Sequence, residues 1–401
     1  MNGGRMNRMT KIVLILMAFP WGCIEPFEPE FSGDISRVLV VDGEITTGTG
    51  PYEIRLSWIR PYESGISYER EAVAVEGAVV RVLDSEGNTY LFNENLPGEY
   101  GSDSSAFRAE PGLTYQLLVD TQYGRRFESV PEEMPRVVPI SVLYASYEEV
   151  TLTGVDGIQR TSDGMQVYAD VNSQEGPLYL RYEYKETYEI TNWGSFFYRL
   201  YLEGYAIYVS RQPHDSTFGG ARWPYATDIP DFCWKTFSPP RYLNYQAVAP
   251  RSDGRTITIP VHFIPVQNDP RLTRKYAILV RQYAISRQTY EFWRRVELQG
   301  DYTGSFYDPV PSRIYSNVYE VDREEPMAAG YFFLSSVSTE RLIINREDVP
   351  DIPFYYHPQC QFYDVYADVP GDWLKLYSMN TECCFDCRVC ADQTAEKPDY
   401  W

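Results

Sequence analysis

A mainly β fold is predicted by three features of this 401-residue chain: an excess of aromatic residues led by 35 Tyr, short alternating segments punctuated by turn residues, and scarce helical periodicity. The length suffices for two or three domains, and 44% hydrophobic residues are too many for a disordered chain. A formal charge of −20 without basic runs argues against nucleic acid, because a polyanion would be repelled.

The first residues carry Arg5, Arg8 and Lys11 with no acid, followed by the apolar run Ile12 to Phe19, too short to span a bilayer as a helix. Residues 1–22 therefore read as a signal peptide. Pro20-Trp-Gly-Cys23 resembles the box at which bacterial lipoprotein signals are cut, so Cys23 is the expected lipidation site, with Pro20 and Trp21 standing where Leu and Ser or Ala are favoured. Cleavage there removes three positive charges and takes the net charge to −23. Residues 23–36, beginning Cys-Ile-Glu-Pro-Phe-Glu-Pro-Glu30, form an acidic tether. Acids at this place resemble the signal that sends Bacteroidota lipoproteins to the cell surface, although a merely solvated linker remains open.

From residue 37 to 135 the alternation predicts strands at Val38–Glu44, Tyr52–Trp58, Ala78–Leu83, Thr89–Phe92, Thr114–Val119 and Arg125–Ser129. So many strands in about a hundred residues indicate an Ig-like sandwich. Asp84-Ser-Glu-Gly-Asn88 and Pro97-Gly98 supply the reversals. Val75-Glu-Gly-Ala-Val-Val-Arg-Val-Leu-Asp84, Pro97-Gly-Glu-Tyr100 and Glu110-Pro-Gly-Leu-Thr-Tyr115 resemble the prealbumin-like, carboxypeptidase-regulatory-like sandwiches, a resemblance that implies a structural or binding module and no peptidase. Val130 to Pro139, with three prolines, reads as a linker.

A larger β-rich domain is expected over 140–401, with strands at Met165–Val171, Leu178–Ile190, Phe196–Val209, Thr256–Phe263, Tyr276–Tyr283 and Gly330–Val337. One helix, about 285–299, is predicted from its Ser286 cap, the apolar positions Tyr290, Trp293 and Val296, and the Gly300 stop. The tyrosines of the long strands are expected chiefly to pack. A ligand or partner surface at Tyr198, Tyr201, Tyr205 and Tyr208 is the alternative, since exposed rings stack on sugars and anchor interfaces.

From Cys233 onward the chain carries, in order, Phe232-Cys-Trp-Lys235, Tyr276-Ala-Ile-Leu-Val-Arg-Gln-Tyr283 leading into Tyr290-Glu-Phe-Trp293, Gly304-Ser-Phe-Tyr-Asp-Pro-Val-Pro-Ser312, Asn317-Val-Tyr319, Gly330-Tyr-Phe-Phe-Leu-Ser-Ser-Val-Ser338, Arg341-Leu-Ile-Ile344, Cys383-Cys-Phe-Asp-Cys387 and Lys397-Pro-Asp-Tyr-Trp401. This order of phrases resembles the Bacteroidota outer-membrane lipoprotein family labelled domain of unknown function 4249. The resemblance implies an accessory lipoprotein working beside a TonB-dependent transporter in nutrient uptake. It brings no catalytic residue with it. A structural or adhesive envelope protein is the rival expectation, and the periplasmic face of the outer membrane stays open beside the cell surface.

With Cys23 lipidated, Cys233, Cys360, Cys383, Cys384, Cys387 and Cys390 are the disulfide candidates, with 15 possible connectivities. A bridge between the adjacent Cys383 and Cys384 is disfavoured by their short α-carbon separation. The tail spacing is also ligand-like, but an oxidising cell surface favours disulfides over a thiolate metal site. His214, His262 and His357 are scattered, no phosphate loop or nucleophile elbow is present, and the acids are dispersed. The chain is therefore expected to have no catalytic site, resident metal or cofactor.

Overall fold

The computed structural model describes residues 38–59, 73–103, 107–153, 158–172, 176–191, 230–239, 245–248, 256–267, 269–300, 314–321, 323, 328–350, 362–366, 375–379 and 393–401. The protein is mainly β. Nine strands come first: β1 (Leu39–Thr46), β2 (Glu53–Trp58), β3 (Val73–Ala74), β4 (Val79–Asp84), β5 (Thr89–Leu96), β6 (Glu99–Ser102), β7 (Thr114–Asp120), β8 (Arg126–Ser129) and β9 (Glu132–Glu133). In β4 and β7 alternate residues are buried, as the sequence pattern requires of strands with one face on a core. Leu39, Val41, Ile54, Val80, Leu117 and Phe127 are among the residues of that first core.

The following strands are β10 (Ile140–Thr153), β11 (Gln159–Val171), β12 (Leu178–Thr191), β13 (Phe232–Phe237), β14 (Tyr245–Val248), β15 (Ile257–Pro265) and β16 (Tyr276–Ile285). Helix α1 (Arg287–Gly300) comes next, then β17 (Val318–Glu320), β18 (Ala328–Ile344), β19 (Phe362–Tyr366), β20 (Lys375–Met379) and β21 (Gln393–Thr394). Strands β10, β11 and β15 form a three-stranded sheet, and β19 pairs with β20. The remaining strands join in one 16-stranded sheet whose path runs β17-β8-β7-β4-β5-β6-β2-β1-β18-β16-β12-β13-β21.

Strand β18 makes that continuity. It pairs in parallel with β1, from Leu39 opposite Ala328 to Thr46 opposite Ser335, and antiparallel with β16 from Ser335 to Ile344. Its even-numbered side chains face the cores: Ala328, Phe332 and Leu334 belong to the first, Leu342 and Ile344 to a second. The second core lies between β12, β16 and the three-stranded sheet, where Leu180, Val280 and Tyr276 meet Ile140, Val167 and Ile259. Val318 of β17 also returns to the first core. There Arg125 donates two hydrogen bonds to Glu320, at 2.8 and 2.7 Å, and Asn317 brackets the Phe332 backbone, accepting from its N–H at 3.0 Å and donating to its carbonyl.

The stretch expected to be a linker is built into the body instead. Met134 is buried and exchanges backbone bonds with Leu113 and Gly112, while β9 pairs with β7. Beyond it the chain crosses the sheet between the two cores. Ser336 donates to the Pro135 carbonyl, Gln282 Nε2 donates to the Val138 carbonyl at 2.7 Å, and the Ile140 N–H donates to Ser338 Oγ at 3.1 Å. Proline lacks a donor but keeps a carbonyl, so a proline-rich segment can be fixed by side chains that donate.

Helix α1 starts where the sequence places it, with Ser286 Oγ accepting from the Thr289 N–H at 3.1 Å. The predicted stripe is incomplete. Phe292 is the buried aromatic of the helix, packed on Tyr331 at 4.4 Å, with Trp293 edge-on to Phe333 at 5.8 Å. Tyr331 and Phe333 are odd-numbered residues of β18, so the helix covers the sheet face opposite the two cores.

Gly330 has φ +75°, and a Cβ there would lie 2.0 Å from the Val41 carbonyl oxygen. Gly330→Ala is expected to lower stability by about 3 kcal/mol, from left-handed strain and obstruction of the β1–β18 pairing. Gly87→Ala, at φ +90° in open space, should cost only about 1 kcal/mol. Urea unfolding of both variants measures the contrast, and equal losses would contradict the close-approach argument.

Candidate functional site: a polar cleft on the helix-bearing face of the shared sheet

Below α1, the odd-numbered face of β18 and the matching residues of β1, β16 and β12 form a polar cleft. Its base is Arg181 of β12, whose side chain is 0% exposed. Arg181 donates to Glu44 of β1 and, at 2.6 Å, to Glu183. The Glu44 carboxylate is 4% exposed and also accepts from Ser335 Oγ at 2.8 Å. Tyr283 lies under the Arg181 guanidinium, 4.1 Å from ring centroid to carbon, and donates its hydroxyl to Glu183 at 2.9 Å. Burial, followed by the charges of Glu183 and Glu44, pushes the Tyr283 hydroxyl well above its ordinary pKa, so it remains a donor.

Two hollows of about 350 Å³ each open on this face and share Glu44 and Thr46. One runs toward β2, along Asp42 and Arg55. The other lies over β12 and β16, lined by Glu183, Lys185, Leu279, Arg281 and Tyr283, with Ser238 and Pro239 at its wall. Past this second hollow the C-terminus is docked on the same sheet. Trp401 Nε1 donates to Glu189 at 3.0 Å, Tyr400 donates to Thr187 at 2.9 Å, and the Arg341 guanidinium lies 3.3 Å from the Tyr400 ring centroid. Helix and C-terminus thus lie on the sheet to either side of the ionic floor, a concave setting at the junction of two cores of the kind that binds small molecules.

A second ionic group closes one end of the second core. Glu186 accepts from Arg271 at 3.0 Å and from Tyr276 at 2.7 Å, while Asp269 holds the other side of Arg271 at 2.7 Å. His262 stacks on Tyr184 at 4.1 Å and places Nε2 3.4 Å from Glu186. Burial alone would raise the Glu186 carboxyl, but hydrogen bonding by His262, the Arg271 charge and the Tyr276 hydroxyl outweigh it and hold the pKa below its ordinary value. With each partner engaged, this group clamps the β15–β16 connection onto β12. Among the described residues no set of three or more His, Cys, Asp and Glu is arranged to hold a metal.

Several sequence-predicted site residues lie outside the described residues: Cys23, Cys360, Cys383, Cys384, Cys387, Cys390, and the tyrosines Tyr198, Tyr201, Tyr205 and Tyr208. Cys233 is placed in β13, 1% exposed. The residues of the cleft escaped the sequence reading because Glu44 and Arg181 are 137 positions apart and neither belongs to a local motif. The one available signal was an arginine inside an otherwise tyrosine-rich alternating strand.

The chain matches the model described as Domain of unknown function (DUF4249) over residues 24–341. It belongs to that family. The match includes every residue named above for the ionic floor, from Asp42 to Ser335, and ends at Arg341 beside the docked C-terminus. No curated protein matches the chain.

Substitutions at Arg181, Glu44 and Glu132 test the roles of the buried charged groups. Arg181→Met should destabilise this DUF4249 member by about 3–5 kcal/mol, because Glu44 is left charged and buried, and the Glu44→Gln/Arg181→Met pair should cost less than Arg181→Met alone. A double-mutant cycle in urea checks this, and simple additivity would refute the pairing. Glu132 sits where β9 meets α1, accepting from Thr289 Oγ1 at 3.0 Å, and burial raises its carboxyl to about 7 despite hydrogen bonds from Ser286 and Thr289. Its unfolded value is near 4.5, so the folded state holds the proton more tightly. The stabilising contribution is full below about pH 4.5 and is lost as pH rises through about 7. Glu132→Gln should therefore match the parent near pH 4.5 and exceed it by about 2–3 kcal/mol near pH 8, as measured by unfolding at both pH values.

Proposed function

We propose that this DUF4249 chain is a non-catalytic, lipid-anchored protein of the bacterial outer membrane, held at the cell surface, where it binds ligand beside a TonB-dependent transporter in nutrient uptake. The observation that carries the reading is the leader itself. Three cations without an acid, the Ile12 to Phe19 apolar run and Pro20-Trp-Gly-Cys23 have the layout of a lipoprotein signal, placed one residue before the family match begins at residue 24. Between Cys23 and the first strand at Leu39 the acidic tether could reach at most about 58 Å, enough to hold the body clear of headgroups.

The cleft supports a binding role. Its acids are engaged by Arg181, Ser335 and Tyr283 in a fixed arrangement, which suits recognition better than proton transfer. A Bacteroidota origin, a prealbumin-like relationship for the first sandwich and a disulfide from Cys233 to the cysteine-rich tail belong to the same proposal. The buried position of Cys233 in β13, which pairs with β21 three residues past Cys390, supports the last of these.

Cys23→Ser is expected to abolish palmitate labelling and move the protein from the membrane to the soluble fraction. Affinity purification of the detergent-solubilised parent should recover a TonB-dependent barrel, and its deletion should impair uptake of that barrel's cargo. Repeated purification without a barrel, or lost adhesion with intact uptake, would replace the transport reading with an adhesive one.

A further inference from the structure

The second hollow has an unusual charge arrangement for so acidic a chain. Glu183 of β12 pairs across the sheet with Arg281 of β16, and Lys185 pairs with Leu279. Lys185 and Arg281 are thus diagonal neighbours on one face, within reach of each other's long side chains. Both line the hollow and both are exposed. The neighbouring carboxylate does not serve them, since Glu183 gives one oxygen to Arg181 and the other to Tyr283. Glu44 is held by Arg181 and Ser335. The ion pairs of this floor are those of Arg181, and among the described residues Lys185 and Arg281 form none. A further cation, Arg341, stands opposite Leu279 and stacks on Tyr400.

We propose that this hollow binds a small polar ligand through an oxyanion, a carboxylate or a phosphate, held between Lys185 and Arg281. Adjacent like charges on a strand pair repel, and a chain with 56 acids has ample means to neutralise them from within. Here the nearby acids are instead bound to a buried arginine, which fixes their positions and leaves the outer pair of cations facing the hollow. The guanidinium of Arg281 can present two parallel donors to an oxyanion and Lys185 a compact charge beside it. Thr46 and Ser238, on opposite sides of the hollow, suit hydroxyls on the body of the ligand. A sugar acid and a sugar phosphate share this chemistry.

This inference rests on the ligand-binding reading above and can fail separately from it. The test uses the full chain, solubilised in detergent, and follows its thermal midpoint in galacturonate, inorganic phosphate and chloride at matched pH and ionic strength, with galactose as the neutral control. Galacturonate or phosphate should raise the midpoint above chloride, while galactose should not, and the larger of the two effects identifies the source of the oxyanion. The Lys185→Gln/Arg281→Gln variant should lose the rise, and Lys185→Arg should keep it. In calorimetric titration each removed cation should weaken binding about tenfold. No rise with either anion, or the same rise in the double variant, overturns the proposal. Recovery of a barrel alongside that result would leave the transporter reading standing.

Discussion

The whole architecture depends on one parallel strand pair. β1 and β18 are separated by about 280 of the 401 residues, yet their pairing turns two β sandwiches into parts of one sheet. Parallel neighbours need a crossover, and here the crossover is nearly everything between residues 46 and 328. Gly330 allows the two backbones to approach, while the Arg181–Glu44 pair ties β1 to β12 across the two strands between them. A buried ion pair is weak evidence for stability on its own, because removing both charges from water offsets their attraction. Its effect here is geometric. Glu44, Ser335, Glu183 and Tyr283 can all be satisfied only if β1, β18, β16 and β12 keep one register.

The two sides of β18 divide the work. Even-numbered residues face the two cores, with Phe332 and Leu334 in the first and Leu342 and Ile344 in the second, and Ser336 and Ser338 fixing the crossing chain between them. Odd-numbered residues meet the helix through Tyr331 and Phe333, and continue past Ser335 toward Arg341. Period-two alternation thus separates a face that must exclude water from one that keeps water-accessible charge, and the cleft inherits its rigidity from the cores behind it.

Much of this fold was legible in the residues. The alternation of β4 and β7, the Asp84–Asn88 reversal and the Ser286 cap are local signals, and each element stands where those signals put it. β10 was missed because its outer half, Tyr147-Glu-Glu-Val-Thr-Leu152, mixes exposed and half-buried residues on a hairpin that runs beyond its third strand. The Pro-rich stretch from Val130 was misread because three prolines signal a break in regular pairing, whereas the donors that fix it come from Ser336 and Gln282, far along the chain. The cleft was illegible for a related reason. An ionic floor assembled from β1, β12 and β16 has no spacing to recognise, since only the completed sheet makes its members neighbours.

The distance between β1 and β18 also sets an order of events. Contacts such as Ser335 with Glu44 span 291 positions, so the first sandwich, although its first strand begins at residue 39, cannot close until residues near 340 are present. Closing so long a loop carries a large entropic cost before any contact offsets it, which makes folding slow and leaves the edge of β1 open meanwhile. A chain threaded through a membrane from its N-terminus would arrive with that edge exposed and its partner still on the far side. For such a chain, completion of the fold would belong to the compartment of arrival, and whatever shields nascent chains there would have to hold an unpaired strand until the last fifth of the protein followed.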